Sequence, residues 1–189
     1  VGYIDYYLDE WHANKAPEHL ASVAGDEVKV CFAYGEIAAP NGTTSQEWCE
    51  KMGVEYCATI AEVIEKSDVI MVLAPDNCER KEDLSREALM SGKPTFIDKP
   101  FGTDLASAKR MFKLAEENGT PCYSCSAVRF AEEYTTVDRS KVESILSITP
   151  QNSFDNYILH ALEPSMMIMG EKAVRAMCVK KDTAYYSAT

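Results

Sequence analysis

Short apolar, β-branched runs alternate with stretches of helical periodicity through the first two thirds of this chain, and that alternation limits what it can fold into. The runs are Val1 to Ile4, Val28 to Ala33, Val69 to Leu73, Thr95 to Ile97 and Cys122 to Ser126. Each is short and nearly continuous in its apolar character, as expected of strands buried on both faces of a parallel sheet. Helical patterns lie between them, near Asp9 to Val23, Ser45 to Met52, Thr59 to Glu65, Arg80 to Met90 and Asp104 to Asn118. The punctuation agrees. "SGKP" and "NGTP" put glycine at a helix end and proline just before the next strand. Thr103 or Asp104 is placed to cap one helix, and "TIAE" from Thr59 reads as a capping box. Right-handed crossovers between such units place helices on both sides, so the expected fold class is α/β, a doubly wound parallel sheet.

The pattern changes from about Pro121. "VESILSITP", "NYILHALEPSMMIMG" and "AVRAMCVKKDTAYYSAT" read as strand, helix and strand. The expectation is a doubly wound domain over 1–120 and the beginning of an α+β domain with an open sheet over 121–189. Because the last stretch stops within strand-like alternation, that second domain is expected to be incomplete.

Composition excludes several function classes. With 30 acidic against 19 basic residues the formal net charge is -11, which argues against nucleic-acid partners and against anionic membranes. There is no long uninterrupted apolar stretch and no leader-like succession, so a cytoplasmic protein is expected. The seven cysteines, Cys31, Cys49, Cys57, Cys78, Cys122, Cys125 and Cys178, are scattered and odd in number, which suits reduced, buried thiols. "CYSC" at Cys122 to Cys125 falls in a strand, where residues three apart face opposite sides, and no second pair completes a zinc site.

Two places carry candidate chemistry. In "TFIDKPFG", Asp98 and Lys99 stand where a buried strand ends, the position at which open α/β sheets hold ligands. A lysine facing a crevice there can donate a proton or act as a fixed positive charge; a surface lysine in a tight turn is the plainer alternative. In "NYILHALEPSMMIMG", Asn156, His160 and Glu163 share one helical stripe. Pro164 has no N–H to offer the His160 carbonyl, so the helix is expected to bend beside the imidazole. His12 and His19 share a face of the first helix without a third metal ligand, and His12 lies close to the end of the first strand.

With "FIDKPFG", the upstream "SDVIMVLAPDNCERKEDLSREALMSGKP" and the downstream "HALEP", the chain resembles the Gfo/Idh/MocA family of NAD(P)-dependent oxidoreductases over nearly its whole length. The resemblance implies a Rossmann domain, NAD or NADP as cofactor, and a second domain that supports a homodimer or homotetramer. It implies hydride transfer between nicotinamide and a carbinol carbon of a sugar, cyclitol or related polyol. Lys99 matches the lysine of the family's EKP motif, and His160 matches its acid/base histidine, with Asn156 standing where the family has Asp and Asp155 one residue earlier. Pro75 and Asn77 of "APDN", with Asp98, Lys99 and Pro100, are the implied cofactor contacts. Asn156 and Glu163 are the implied substrate contacts.

The first turn departs from the family. The three glycines of its GxGxxG fingerprint fall on Asp5, Tyr7 and Glu10, and none is retained. Those glycines normally let backbone amides approach a diphosphate at a helix N-terminus. Asp5, Asp9 and Glu10 place carboxylates there instead, which stabilise the helix and repel a diphosphate. Glu36, after "CFAYG", is the available acidic residue for an adenosine ribose, and Glu79 stands where the family's "PNxxH" has histidine. Two functions compete. One is an oxidoreductase with a rebuilt loop, in which Asp5 and Tyr7 help hold the cofactor; the other is a degenerate relative that keeps the fold and binds a ligand without cofactor.

Overall fold

The computed structural model describes residues 1–149, 153–170, 173–181 and 184–188. It divides into two compact units, Val1–Ser124 and Cys125–Thr189.

In the first unit six strands form one sheet: β1 (Gly2–Asp5), β2 (Phe32–Gly35), β3 (Glu55–Tyr56), β4 (Ile70–Val72), β5 (Thr95–Ile97) and β6 (Cys122–Tyr123). Every pairing is parallel, and the order is β3-β2-β1-β4-β5-β6. The order reverses at β1, which has β2 on one side and β4 on the other. At such a switch point the chain diverges to both sides and leaves a crevice at the carboxyl ends of the strands.

Five helices cross between the strands: α1 (Trp11–Ala24), α2 (Ser45–Met52), α3 (Ile60–Lys66), α4 (Cys78–Met90) and α5 (Leu105–Glu117). Local chemistry fixes their ends. Thr44 and Glu47 form a reciprocal capping box at α2, and Gly53 closes that helix in the left-handed conformation at φ 67°. The hydroxyl of Thr59 accepts the Glu62 N–H at α3, while the Glu62 carboxylate reaches one residue further back, to the Ala58 N–H. Asp104, rather than Thr103, caps α5 by accepting the Ser107 N–H at 2.8 Å.

Alternation along the strands builds a core on each face. Ile4, Ile70, Val72 and Ile97 pack with Val63 of α3, Leu84, Ala88 and Leu89 of α4, and Met111 and Ala115 of α5. Tyr3, Ala33 and Leu73 pack with Ala13 of α1 and Trp48 and Cys49 of α2 on the other face. Burying each large apolar side chain contributes about 1.5–3 kcal/mol. Trp48 is wholly enclosed, and its indole N–H donates to Asn14 at 2.7 Å, joining α2 to α1.

In the second unit, single 3-10 turns at Ala127–Phe130, Glu132–Thr136 and Arg139–Lys141 precede α6 (Phe154–Met169), and β7 (Met177–Lys181) pairs antiparallel with β8 (Ala184–Ala188).

The structure corrects three readings of the sequence and adds one strand to them. Val28 to Val30 precede β2 instead of belonging to it, since the ladder to β1 begins at the Cys31 N–H. β6 stops at Tyr123, because Ser126 turns to cap the next 3-10 turn through the Val128 N–H. Among the described residues, 142–149 form no strand, and Leu146 and Ile148 are 85% and 84% exposed. Pro150, which closes that stretch, lies outside the described residues. β3 escapes sequence reading because it is two exposed residues long, with no apolar alternation to reveal it.

Gly2 sets how closely β1 approaches α3. A Cβ there would lie 2.2 Å from Ser67 Oγ and 2.5 Å from Val63 Cγ1. Gly2→Ala should therefore cost roughly 1–3 kcal/mol, read from the urea midpoint at unchanged slope.

Candidate functional site

The carboxyl ends of β1, β4 and β5 bring together Asp5, Ala74 and Asp98. Asp5 is 1% exposed. Its Oδ1 accepts the Tyr6 N–H at 2.7 Å and the Ala74 N–H at 2.9 Å, so one carboxylate ties the end of β1 to the chain leaving β4. Ala74 needs that anchor: its φ of 46° is left-handed, which costs a non-glycine residue about 1–2 kcal/mol. Asp5 Oδ2 has no hydrogen-bond partner among the described residues. Burial, then the nearby Glu10, push the Asp5 carboxyl well above the usual carboxylate range, against the two amides that lower it.

Glu10 closes the N-terminus of α1. Its carboxylate accepts the His12 N–H at 2.6 Å and the Ala13 N–H, and its carbonyl accepts the Asn14 N–H at 3.0 Å. Burial raises its carboxyl above the ordinary value, while the two amides oppose the rise. Two residues after Glu10, His12 Nδ1 stands 2.7 Å from Asp98 Oδ2, joining α1 to the end of β5.

Beneath that end lies Lys81, fully buried in α4. Its ammonium donates to the carbonyls of Asp98 at 2.5 Å and Pro100 at 2.7 Å, which pins the turn that carries Lys99. Burial pulls the Lys81 ammonium down to about 8. Lys99 itself is 6% exposed, more enclosed than a lysine facing an open crevice, and is followed by Pro100 through a cis peptide. Pro75 is buried just after Ala74, Tyr7 is partly exposed with its ring 5.9 Å from that of Tyr6, and Asn77 directs its side-chain amide to Glu79 at 3.1 Å. Glu36, at the end of β2, receives Arg80 in two bonds at 3.1 and 2.7 Å.

The second unit has its own polar cluster. Ser126 is wholly buried; its hydroxyl lies 2.6 Å from His160 Nδ1, and its N–H donates to Glu163 Oε1 at 2.8 Å. Arg129 stands 3.6 Å from the other Glu163 oxygen. Ser126 thus joins His160 to Glu163. The Asn156 backbone N–H belongs to the helix cap made by Ser153. Pro164 lies inside α6, and the Ser165 hydroxyl bonds the Ala161 carbonyl at 2.7 Å.

Sequence reasoning missed Lys81, the Glu10 cap, the His12–Asp98 pair and Ser126. For Lys81 a signal existed: it falls on the buried stripe of α4 with Leu84, Ser85 and Ala88. Cys31, Cys49, Cys57, Cys78 and Cys122 are free thiols, and the side chain of Cys178 lies outside the described residues. Cys31 is exposed, and among the described cysteines Cys49 and Cys57 are the fully buried ones. Burial pushes the Cys122 thiol up to about 11, which leaves it protonated and unreactive near neutral pH. Among the described residues, no cluster of three His, Cys, Asp or Glu is arranged for a metal, and no helix is long and apolar enough to cross a membrane.

Residues 12–126 match the Gfo/Idh/MocA oxidoreductase family, described by its NAD-binding Rossmann fold. The chain belongs to this family. It is 26% identical over 108 residues to the uncharacterized oxidoreductase YhhX of Escherichia coli K12, an alignment covering 55% of this chain and 31% of that protein. Its fold matches GenD2 from gentamicin A biosynthesis, solved with NAD, at a TM-score of 0.71 and 15% identity, over 93% of this chain and 55% of that one. It also matches Synechocystis biliverdin reductase, solved with biliverdin and NADP+, at a TM-score of 0.55 and 14% identity, over 71% and 40%. The chain therefore spans between about a third and about half of these relatives' lengths.

The family's cofactor is NAD or NADP, and the first turn does not fit the diphosphate of either. The α1 amides that would cradle it are already bonded to Glu10, and Asp5 adds a second buried carboxyl.

Two measurements follow. Lys81→Met leaves two carbonyls without their donor and should cost on the order of 2–4 kcal/mol in chemical denaturation. Asp5 titrates higher in the folded than in the unfolded chain, so its contribution is complete at acid pH and is lost as the pH rises through the folded value. Asp5→Asn should accordingly raise the melting temperature near about pH 8 and lose that advantage on acidification.

Proposed function

We propose that the chain is the nucleotide-binding part, with the beginning of the substrate domain, of an oxidoreductase acting on the carbinol group of a sugar, cyclitol or related polyol. The observation that carries this reading is the Lys99–Pro100 turn at the carboxyl end of β5, held from below by Lys81 and from the side by the His12–Asp98 pair. A turn fixed from two directions holds a lysine at a defined point, as proton handling or charge fixation requires. The nicotinamide cofactor, when bound, supplies the hydride acceptor or donor. Lys99 fixes the substrate oxygen, and His160, with Ser126 at Nδ1, carries its proton. Pro75, Asn77, Asp98, Lys99 and Pro100 would hold the nicotinamide cofactor, Asp5 and Tyr7 would meet it at the first turn, and Asn156 and Glu163 would contact the substrate. Family membership supports a homodimer or homotetramer, and the free thiols support a cytoplasmic setting.

A second reading, a ligand-binding relative without hydride transfer, is favoured by the carboxylate that closes α1. The two readings separate on cofactor and turnover. Millimolar NADH or NADPH should shift the melting temperature and change nicotinamide fluorescence; neither response from either nucleotide would leave the second reading. With a turned-over polyol in hand, Lys99→Ala should abolish activity at an unchanged melting temperature, and His160→Ala should lower kcat on the order of 100-fold to 10,000-fold.

A further inference from the structure

A strand that runs straight into a helix presents that helix's first amides, and the positive end of its dipole, to an anion. In this chain the anion is already present and belongs to the chain itself. Glu10 supplies both carboxylate oxygens to the His12 and Ala13 amides, so a single side chain engages two of the four N-terminal amides that a helix leaves without an intrahelical partner. It does so while only 9% exposed. Glutamate is not among the residues that ordinarily cap helices, a task done by Ser, Thr, Asp and Asn. Its extra methylene sets the carboxylate over two amides at once, as two oxygens of a phosphate would sit.

The surroundings reinforce the closure. Asp5 and Asp98 are buried nearby, and both bear electrostatically on Glu10 or on each other. The cations of the region are engaged elsewhere: Lys81 holds two backbone carbonyls, and Arg80 holds Glu36 and Asp83.

We propose that Glu10 is an internal replacement for the cofactor's diphosphate, which closes the α1 amides and sets the dinucleotide affinity of this chain. The inference rests on reading α1 as the cofactor-facing helix, and it holds whether or not hydride transfer takes place. Wild type then binds ADP and NADH weakly, and affinity is gained when the carboxylate is neutralised or removed.

Isothermal titration of ADP and of NADH into wild type, Glu10→Gln and Glu10→Gly tests this. ADP carries the diphosphate without nicotinamide. Removing the side chain frees two amides and one charge, so Glu10→Gly should gain about tenfold or more for both nucleotides, and Glu10→Gln, which keeps a capping oxygen, a smaller gain of a few-fold. Equal ADP affinity in all three proteins, within about twofold, overturns the proposal. Should Glu10→Gly fail to fold, Glu10→Gln alone decides: a gain supports the proposal and no gain overturns it. Tight NADH binding by wild type, unchanged in the variants, removes the role of Glu10 and leaves the oxidoreductase reading standing. A gain for ADP without any nicotinamide fluorescence response to NADH does the reverse.

Discussion

Charge buried at the edge of a parallel sheet has to be compensated from within, because water is not there to do it. At the carboxyl edge of this sheet the backbone carries out most of that compensation. Two amides bond Asp5 Oδ1, two more bond the Glu10 carboxylate, and two carbonyls accept from the Lys81 ammonium. Each of these bonds also fixes a turn: β1 into α1, β4 into the segment through Ala74 and Pro75, and β5 into Lys99 and Pro100. The polar groups are therefore structural and positional together, and one cannot be removed without loosening the loop it holds.

Much of the fold was legible in the sequence because burial on both faces leaves a strong mark. Ile70, Val72 and Ile97 must be apolar to sit between helices, and the Thr44–Glu47 pair and Gly53 announce the ends of α2 by chemistry alone. Elements that bury little left weak marks. Glu55 and Tyr56 form an edge strand with exposed side chains, and Leu146 and Ile148 look like strand residues yet lie open.

The site was legible only in part. Lys99 and His160 stand out through the motifs around them. The partners that orient nearby groups could not be read, since Ser126 meets His160 across 34 residues of chain and Lys81 meets Asp98 across 17. Pairings of that kind are set by tertiary packing. The absent glycines were visible at once; that their place was taken by a carboxylate bonded to the helix amides became visible only with coordinates.

The two tryptophans occupy opposite circumstances in the first unit. Trp48 is sealed in the core with its indole bonded to Asn14, whereas Trp11, the residue directly after Glu10, is 64% exposed. Emission from the chain is thus the sum of a shielded source and a solvent-facing one, and a quencher such as iodide will reach the second and spare the first. Because that reachable indole begins α1, the chain carries an optical probe at the entrance to its own helix, with an internal reference from the same fluorophore.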